Sequence, residues 1–263
     1  MSRSSSFDIL NLRPTAAEFL SQCRQLWDQS QLELTDQQRF DLAEALTSFI
    51  YPEYRFSEFG RTFLDDQQFA DFYTRHVSTF NFHAYDRKYL LKEVLKLAQF
   101  IPGDTIEVGI YEGGSSYLIA QHARRIGKRH HLFDSFEGLS EPGPLDGDYW
   151  RRGMMAVSEE QVRVNLSEFD NLCYWGGWIP ERFSEVADQR FSFLHVDVDI
   201  YQPTLDTIAF FYPRMSKGGI ILFDDYGFAS CPGAREAIDQ FFADKPEPVI
   251  DFPTGQALVI IGQ

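Results

Sequence analysis

Short apolar runs alternate with helical patterns along the chain between residues 105 and 261. Runs at 105–109, 130–134 and 191–197 have the length of buried strands, and a segment with helical spacing of apolar residues follows each. Strands that alternate with helices predict a mostly parallel sheet with helices on both faces. Only residues 252–256 separate the last two of seven such runs, so we predict a final antiparallel strand.

The first hundred residues have a different pattern, because helical signals follow one another without strand signals between them. Apolar residues recur with helical spacing at 15–29 and 86–100, and Thr35-Asp36-Gln37-Gln38 fits a capping box. We predict that residues 1–100 form a helical lid that contacts the substrate and that residues 101–263 form a ligand-binding α/β domain. The aromatic residues of the first segment suit self-association, so a homo-oligomer is a further expectation.

Charge and composition limit the classes of partner. The chain of 263 residues carries a formal net charge of −15, which disfavours nucleic acid and anionic membranes. Residues 1–6 lack the apolar stretch of a signal peptide, and no apolar run approaches the roughly 20 residues that span a bilayer. The 3 cysteines fit reduced thiols. We therefore expect a cytoplasmic protein whose partner is a small molecule.

Two of the predicted strands end in pairs of carboxylates. Asp197 and Asp199 follow one apolar run, and Asp224 and Asp225 follow the next. In an open α/β sheet the carboxyl ends of the strands form the ligand-binding rim. Four unpaired carboxylates there would repel each other and raise one another's pKa. A hard cation such as Mg²⁺, which prefers oxygen ligands, would relieve that repulsion.

A glycine-rich turn, residues 107–116, joins the first strand of the sheet to its first helix. Its glycines allow a ligand to approach the backbone closely, and we predict that Ser115 or Ser116 caps the helix. The acid Glu107 suits a ligand with an amino group or hydroxyls better than a pyrophosphate. Asp134 ends the second strand, at the position that holds a ribose diol in nucleotide-binding α/β folds.

Five motifs occur in one order along the last two thirds of the chain. They are Glu-Val-Gly-Ile-Tyr-Glu-Gly-Gly-Ser-Ser at 107–116, Phe-Asp-Ser-Phe-Glu-Gly-Leu at 133–139, Val-Asp-Val-Asp-Ile-Tyr at 196–201, Gly-Gly-x3-Phe-Asp-Asp-Tyr at 218–226 and Pro-Gly-Ala-Arg-x-Ala-Ile-Asp at 232–239. Over roughly residues 100–263 this set resembles the macrocin O-methyltransferase family. Those enzymes use S-adenosylmethionine to methylate sugar hydroxyls of natural products.

The resemblance implies a seven-stranded, Rossmann-like methyltransferase sheet, S-adenosylmethionine as methyl donor, S-adenosylhomocysteine as product, and Mg²⁺. It implies that Asp197, Asp224 and Asp225 are metal ligands and that Asp199 is the general base. The implied cofactor-binding residues are Glu107, Gly109, Tyr111, Gly113, Ser115, Ser116, Asp134, Ser135, Gly177, Trp178 and Asp197. Core packing is an equally good interpretation of Trp178. The implied acceptor is a glycoside or another sugar-containing small molecule.

The implied chemistry is coherent on elementary grounds. A sugar hydroxyl is a very weak acid and hence a poor nucleophile at neutral pH. A divalent cation lowers the pKa of a coordinated hydroxyl and orients it, and a nearby carboxylate can take the proton.

Three alternatives fit parts of the same pattern. A phenol or catechol acceptor would use the same kind of metal site. A glycosyltransferase also holds a metal and a nucleotide sugar with Asp-x-Asp, but the glycine turn and the second acid pair have no place in that interpretation. A non-catalytic interaction module should have lost acids from one of its sites, and every expected acid is present.

Overall fold

The computed structural model describes residues 21, 35–51, 60–77 and 84–262. The chain divides into two compact units, Met1–Asp65 and Asp66–Gln263. The helix predicted at 15–29 lies outside the described residues except for residue 21. The division of roles at residue 100 stays a prediction.

In the first unit, helix α1 spans Asp36–Ile50 and begins with the predicted capping box. The Gln38 backbone N–H donates to Thr35 Oγ1 at 3.3 Å, and the Thr35 backbone N–H donates to Gln38 Oε1 at 2.9 Å. Two backbone donors that the helix itself cannot satisfy thereby gain acceptors. The guanidinium of Arg61 lies 4.4 Å from the centre of the Phe40 ring.

The second unit contains one sheet of seven strands in the order β3-β2-β1-β4-β5-β7-β6. Strands β1 to β5 pair in parallel, and β7 is antiparallel to both β5 and β6. The strands are β1 Asp104–Val108, β2 His130–Asp134, β3 Leu172–Gly176, β4 Phe191–Val196, β5 Met215–Phe223, β6 Ile250–Asp251 and β7 Ala257–Ile260. The strand order reverses between β1 and β4, and this switch point is where open α/β sheets bind ligands.

Helices cover both faces of this sheet. They are α2 Gln67–His76, α3 Tyr85–Val94, α4 Gly114–Arg125, α5 Glu159–Asn165, α6 Tyr201–Phe211 and α7 Pro232–Phe242. Alternation along the strands assigns the faces, because Ile221 and Phe223 pack with α6 and α7 whereas Ile220 and Leu222 pack with α3 and α4. The result is a three-layer sandwich with apolar packing on each face of the sheet.

The predicted seven-stranded fold with an antiparallel final strand is confirmed, and so is the hairpin at 252–256. Helix α6 begins at Tyr201 rather than at the predicted residue 204, and β5 begins at Met215 rather than at the predicted residue 219. Pro203 lies in the first turn of α6, where a missing N–H breaks no helical hydrogen bond. Within the part of the chain described here, no helix combines the length and apolar character that crossing a bilayer requires.

Candidate active site

An open cavity lies at the carboxyl ends of the parallel strands. Six of the predicted cofactor residues line it, together with the predicted base and the predicted metal ligand Asp225. Those residues are Gly109, Tyr111, Asp134, Ser135, Trp178, Asp197, Asp199 and Asp225. The remaining predicted residues, which are Glu107, Gly113, Ser115, Ser116, Gly177 and Asp224, lie outside this lining.

The glycine turn places backbone directly at the cavity wall. Gly109 has a φ of 86°, and a Cβ at this position would lie 1.8 Å from the backbone oxygen of Asp197. No larger residue fits between the ends of β1 and β4 at this point. Helix α4 then begins after Gly113, which is left-handed and provides no side-chain cap.

The prediction that Ser115 or Ser116 caps α4 is therefore wrong. Both hydroxyls point to buried charges instead: Ser115 Oγ accepts a hydrogen bond from Lys88 Nζ, and Ser116 Oγ donates one to Glu107 Oε2. Both serines are buried. They join the first turn of α4 to polar groups underneath the cavity.

Glu107 belongs to this buried layer. It is fully buried, and its Oε1 lies 2.9 Å from His195 Nδ1 while its Oε2 lies 3.6 Å from His130 Nε2. Burial alone would raise the pKa of Glu107, but its contacts with His130 and His195 lower that pKa to about 2. Its role as a cofactor-binding residue stays a prediction.

Asp134 ends β2 at the cavity wall and organises two turns. Its Oδ2 accepts the backbone N–H of Ile110 at 2.7 Å and that of Tyr111 at 3.4 Å, and its Oδ1 accepts that of Phe136 at 2.7 Å. Burial raises the pKa of Asp134, and these three donors oppose the rise. The carboxylate thereby holds the glycine turn beside the end of β2.

Three of the four rim acids line the cavity together. The backbone N–H of Asp199 donates to Asp225 Oδ2 at 3.0 Å, and Asp199 has a left-handed backbone with a φ of 61°. Burial and the neighbouring carboxylates raise the pKa of Asp197 to about 6, that of Asp199 to about 8 and that of Asp225 well above its usual range. The negative charge of these three carboxylates is poorly compensated, as the sequence predicts.

Asp224 differs from the other three acids. It is fully buried, with Arg87 Nη2 at 2.8 Å from its Oδ2, and Gln256 Nε2 donating to its Oδ1 at 2.7 Å. His195 Nε2 lies 3.5 Å from the same Oδ1. Burial would raise the pKa of Asp224, but the charges of Lys88 and Arg87 hold it well below the usual range. The expectation that all four acids raise one another's pKa is therefore wrong for Asp224.

The acid cluster is suited to a divalent cation. One ligand atom from each of His195, Asp197 and Asp224 lies within 4.8 Å of the other two, and the same holds for Asp199, Asp225 and Cys231. Carboxylate oxygens are the ligands that Mg²⁺ prefers. A cation next to the cavity-lining acids would offset charge that buried surroundings make costly.

Several residues of the site were not singled out from the sequence. Arg87, Trp150, Phe228 and Cys231 line the cavity, and Cys231 Sγ lies 3.7 Å from Asp199 Oδ1. The sequence offers one clue for Trp150, since it lies in the glycine- and proline-rich segment 140–156. Arg87 lies in a segment whose helical pattern explains it without a site, whereas Phe228 and Cys231 lie in the loop between β5 and α7.

Asp146 fixes that segment against the rim. Its Oδ2 accepts the backbone N–H of Gly143 and its Oδ1 that of Tyr201, each at 2.6 Å. Asp146 is buried, and a Cβ on Gly233 would lie 1.8 Å from its Oδ1. The loop is therefore anchored to the first residue of α6, two positions after Asp199.

Comparison with known families gives a match over most of the second unit. Residues 87–251 match the family model of macrocin O-methyltransferase (TylF). The matched segment begins in α3 and contains the glycine turn, Asp134 and all four rim acids.

Characterised relatives match the same part of the chain. The 8-demethyl-8-(2,3-dimethoxy-alpha-L-rhamnosyl)-tetracenomycin-C 4'-O-methyltransferase of Streptomyces olivaceus is 31% identical over 55% of this chain and 60% of its own length. The demethyldecarbamoylnovobiocin O-methyltransferase of Streptomyces niveus is 32% identical over 54% of this chain and 59% of its own length. The match thus spans about 60% of the length of these relatives.

Solved structures give the same fold. The O-methyltransferase NovP is 26% identical and superposes with a TM-score of 0.60, covering 70% of this chain and 84% of NovP. The calicheamicin methyltransferase CalS11 superposes over 100% of both chains with a TM-score of 0.59. At 17% identity the CalS11 match supports the fold alone.

Proposed function

Because the chain belongs to the macrocin O-methyltransferase family, we propose that it transfers a methyl group from S-adenosylmethionine to a sugar hydroxyl, assisted by a divalent cation such as Mg²⁺. One observation carries the proposal. A single cavity contains both the glycine turn with Asp134 and the three poorly compensated carboxylates Asp197, Asp199 and Asp225. A nucleoside cofactor and a hydroxyl acceptor would therefore lie side by side.

On the cofactor side, S-adenosylmethionine supplies an activated methyl group on a sulfonium ion. The backbone at Gly109 and Tyr111 allows a ligand to approach closely, and Asp134 presents a carboxylate at the ribose position. Trp178 and Ile179, which follow β3, give that end of the cavity an apolar wall suited to an adenine ring.

On the acceptor side, Asp197 and Asp225 would hold the cation, with Asp224 as the third ligand implied by the family. A divalent cation favours the ionised form of a nearby hydroxyl. The carboxylate of Asp199 would accept the hydroxyl proton as the oxygen attacks the methyl group. The left-handed backbone at Asp199 is the kind of local strain that persists where function requires one side-chain direction.

The wall of the cavity beside the acids, where the acceptor would lie, is apolar. Leu139, Trp150, Ile200 and Phe228 line the cavity beside the acids, and such side chains pack against the C–H face of a sugar or an attached ring system. The names of two relatives specify a rhamnosyl-tetracenomycin and demethyldecarbamoylnovobiocin as acceptors. A hydroxyl on a deoxysugar attached to an aromatic compound is therefore the acceptor class that we propose.

The test is methyl transfer from radiolabelled S-adenosylmethionine to demethyldecarbamoylnovobiocin and to rhamnosylated aromatic glycosides, each with Mg²⁺ and with EDTA. We expect transfer with Mg²⁺, loss with EDTA and recovery after Mg²⁺ is restored. Asp199→Asn should lose transfer, whereas Asp188→Asn, which changes an exposed acid elsewhere, should not. Calorimetry with S-adenosylhomocysteine measures cofactor binding without any acceptor.

Two outcomes would contradict the proposal in different ways. Transfer to a catechol or phenol but to none of the glycosides would keep the methyltransferase and replace the acceptor class. Binding of a UDP-sugar without binding of S-adenosylhomocysteine would replace the reaction itself with glycosyl transfer.

A further inference from the structure

Arg87 is a buried cation at the wall of the acid site. It lies in the first turn of α3, is 6% exposed and lines the cavity. Its Nη2 lies 2.8 Å from Asp224 Oδ2, and its guanidinium carbon lies 4.8 Å from the centre of the Phe228 ring. A buried guanidinium of this kind ordinarily needs all its N–H groups satisfied.

The hydrogen bonding of Arg87 is incomplete at this position. Its buried Nε atom has no hydrogen-bond partner, and Asp224 Oδ2 has none either despite the 2.8 Å ionic contact. The other oxygen of Asp224, Oδ1, accepts from Gln256 at 2.7 Å. The Arg87–Asp224 contact is thus electrostatic rather than directional, and Oδ2 keeps lone pairs for another ligand.

We propose that Arg87 is an internal counter-cation that offsets the charge of Asp224 in the metal-free site and competes with a divalent cation for Asp224 Oδ2. The inference rests on the proposed function in so far as that function places the cation at these acids. The physical reason is charge: a divalent cation and a guanidinium that share one carboxylate oxygen repel each other at short range. Arg87 would therefore set the metal affinity below what the acids alone would give.

Neighbouring residues make this competition specific to Arg87. Lys88, the next residue, has its Nζ bound to Ser115 Oγ and lies 4.0 Å from Asp224 Oδ2. His195 contacts the opposite oxygen of Asp224. Only Arg87, among the basic residues described, both lines the cavity and contacts Oδ2 within 3 Å.

The experiment measures Mn²⁺ binding by titration calorimetry and by the electron paramagnetic resonance signal of free Mn²⁺. Arg87→Met removes the charge and keeps an unbranched side chain, and Arg87→Lys keeps the charge. Lys92→Met is the matched control, since Lys92 lies on the same helix and pairs with Asp66 instead. We expect Arg87→Met to bind Mn²⁺ at least tenfold more tightly than the unchanged chain, and the other two variants to stay within about threefold.

A double-mutant cycle tests the same competition through stability. Thermal unfolding of Arg87→Met, Asp224→Asn and the double variant should reveal coupling between the two residues in EDTA. That coupling should vanish in saturating Mn²⁺, and Asp224→Asn alone should weaken Mn²⁺ binding. If Arg87→Met does not fold, Arg87→Gln replaces it in both measurements.

Unchanged or weaker Mn²⁺ binding by a folded Arg87→Met variant would overturn the inference and leave the proposed function intact. The same holds if coupling persists undiminished in saturating Mn²⁺. If neither the unchanged chain nor any variant binds Mn²⁺, the inference fails together with the metal-dependent part of the proposed function.

Discussion

Replacing Glu107 with glutamine should destabilise the protein by about 3 kcal/mol at pH 7. The substitution keeps the size of the side chain, removes its charge and replaces one acceptor oxygen by an amide donor, between His195 Nδ1 at 2.9 Å and His130 Nε2 at 3.6 Å. Lowering the pKa of this carboxyl from 4.5 to about 2 stabilises the folded state with the ionised carboxylate by about 3 kcal/mol, at about 1.4 kcal/mol per pKa unit. Removing one partner of a buried ion pair costs a similar amount, about 3–5 kcal/mol.

The pH dependence of this difference follows from the direction of the pKa change. Because the pKa is depressed in the folded state, the stabilisation is present above the unfolded value of 4.5 and is lost as the pH falls toward 2. The stability gap between the unchanged chain and Glu107→Gln should therefore be constant near neutrality and shrink below about pH 4.5.

Urea unfolding in EDTA, followed by far-ultraviolet circular dichroism, measures the difference in unfolding free energy between the two proteins. The difference follows from the shift in the urea midpoint when the dependence of the free energy on urea concentration is the same for both. Glu236→Gln on α7 is the control, since Glu236 is exposed and should change the free energy of unfolding by less than about 0.5 kcal/mol. A loss below about 1 kcal/mol at pH 7, or a gap that widens as the pH falls, would refute the argument.

Three further changes test the cavity itself. Asp199→Asn should lower kcat by about 10²–10⁴-fold and leave the calorimetric affinity for S-adenosylhomocysteine unchanged. Asparagine tolerates the left-handed backbone at this position, so the fold should not change. Residual activity above a tenth of that of the unchanged chain would argue against Asp199 as the base. Asp134→Ala should weaken S-adenosylhomocysteine binding at least tenfold with Mn²⁺ affinity unaltered, both by calorimetry, and equal losses of both would indicate a general collapse of the rim. Gly109→Ala should lower the melting temperature and cofactor affinity together, because its Cβ would lie 1.8 Å from the Asp197 backbone oxygen; a neutral result would mean that the ends of β1 and β4 can separate.

Much of the sheet is predictable because each strand is a short apolar run bounded by turn residues. The strand predicted at 130–134 has those limits in the structure, and three of the four acids predicted at the rim line one cavity. The spacing of apolar residues directly indicates strands, through a period of 2, and helices, through a period of 3.6. It fails at α6 and β5, where Pro203 and Gly218 look like boundaries but lie inside the first turn of a helix and within a strand.

The charge state of Asp224 could not be predicted in the same way. Its compensating groups, Arg87 and Lys88, come from a helix far upstream, and His195 comes from the neighbouring strand. The amphipathic pattern predicts the helix α3, but it does not predict a role for the basic residues that are buried on that helix. Pairing between distant segments is a property of tertiary packing, which local spacing does not encode.

The position of β7 between β5 and β6 affects how the chain can fold as it leaves the ribosome. Residues 250–251 emerge before 257–260, yet β6 is held in the sheet only through β7. Until β7 is synthesised, the backbone edge of β5 that later pairs with β7 has no partner and is open to pairing with another chain. Gln256, which precedes β7, also supplies the hydrogen bond to Asp224 Oδ1. The rim acids therefore gain their final arrangement only once Gln256 has emerged, after the cofactor turn and strands β1 to β6.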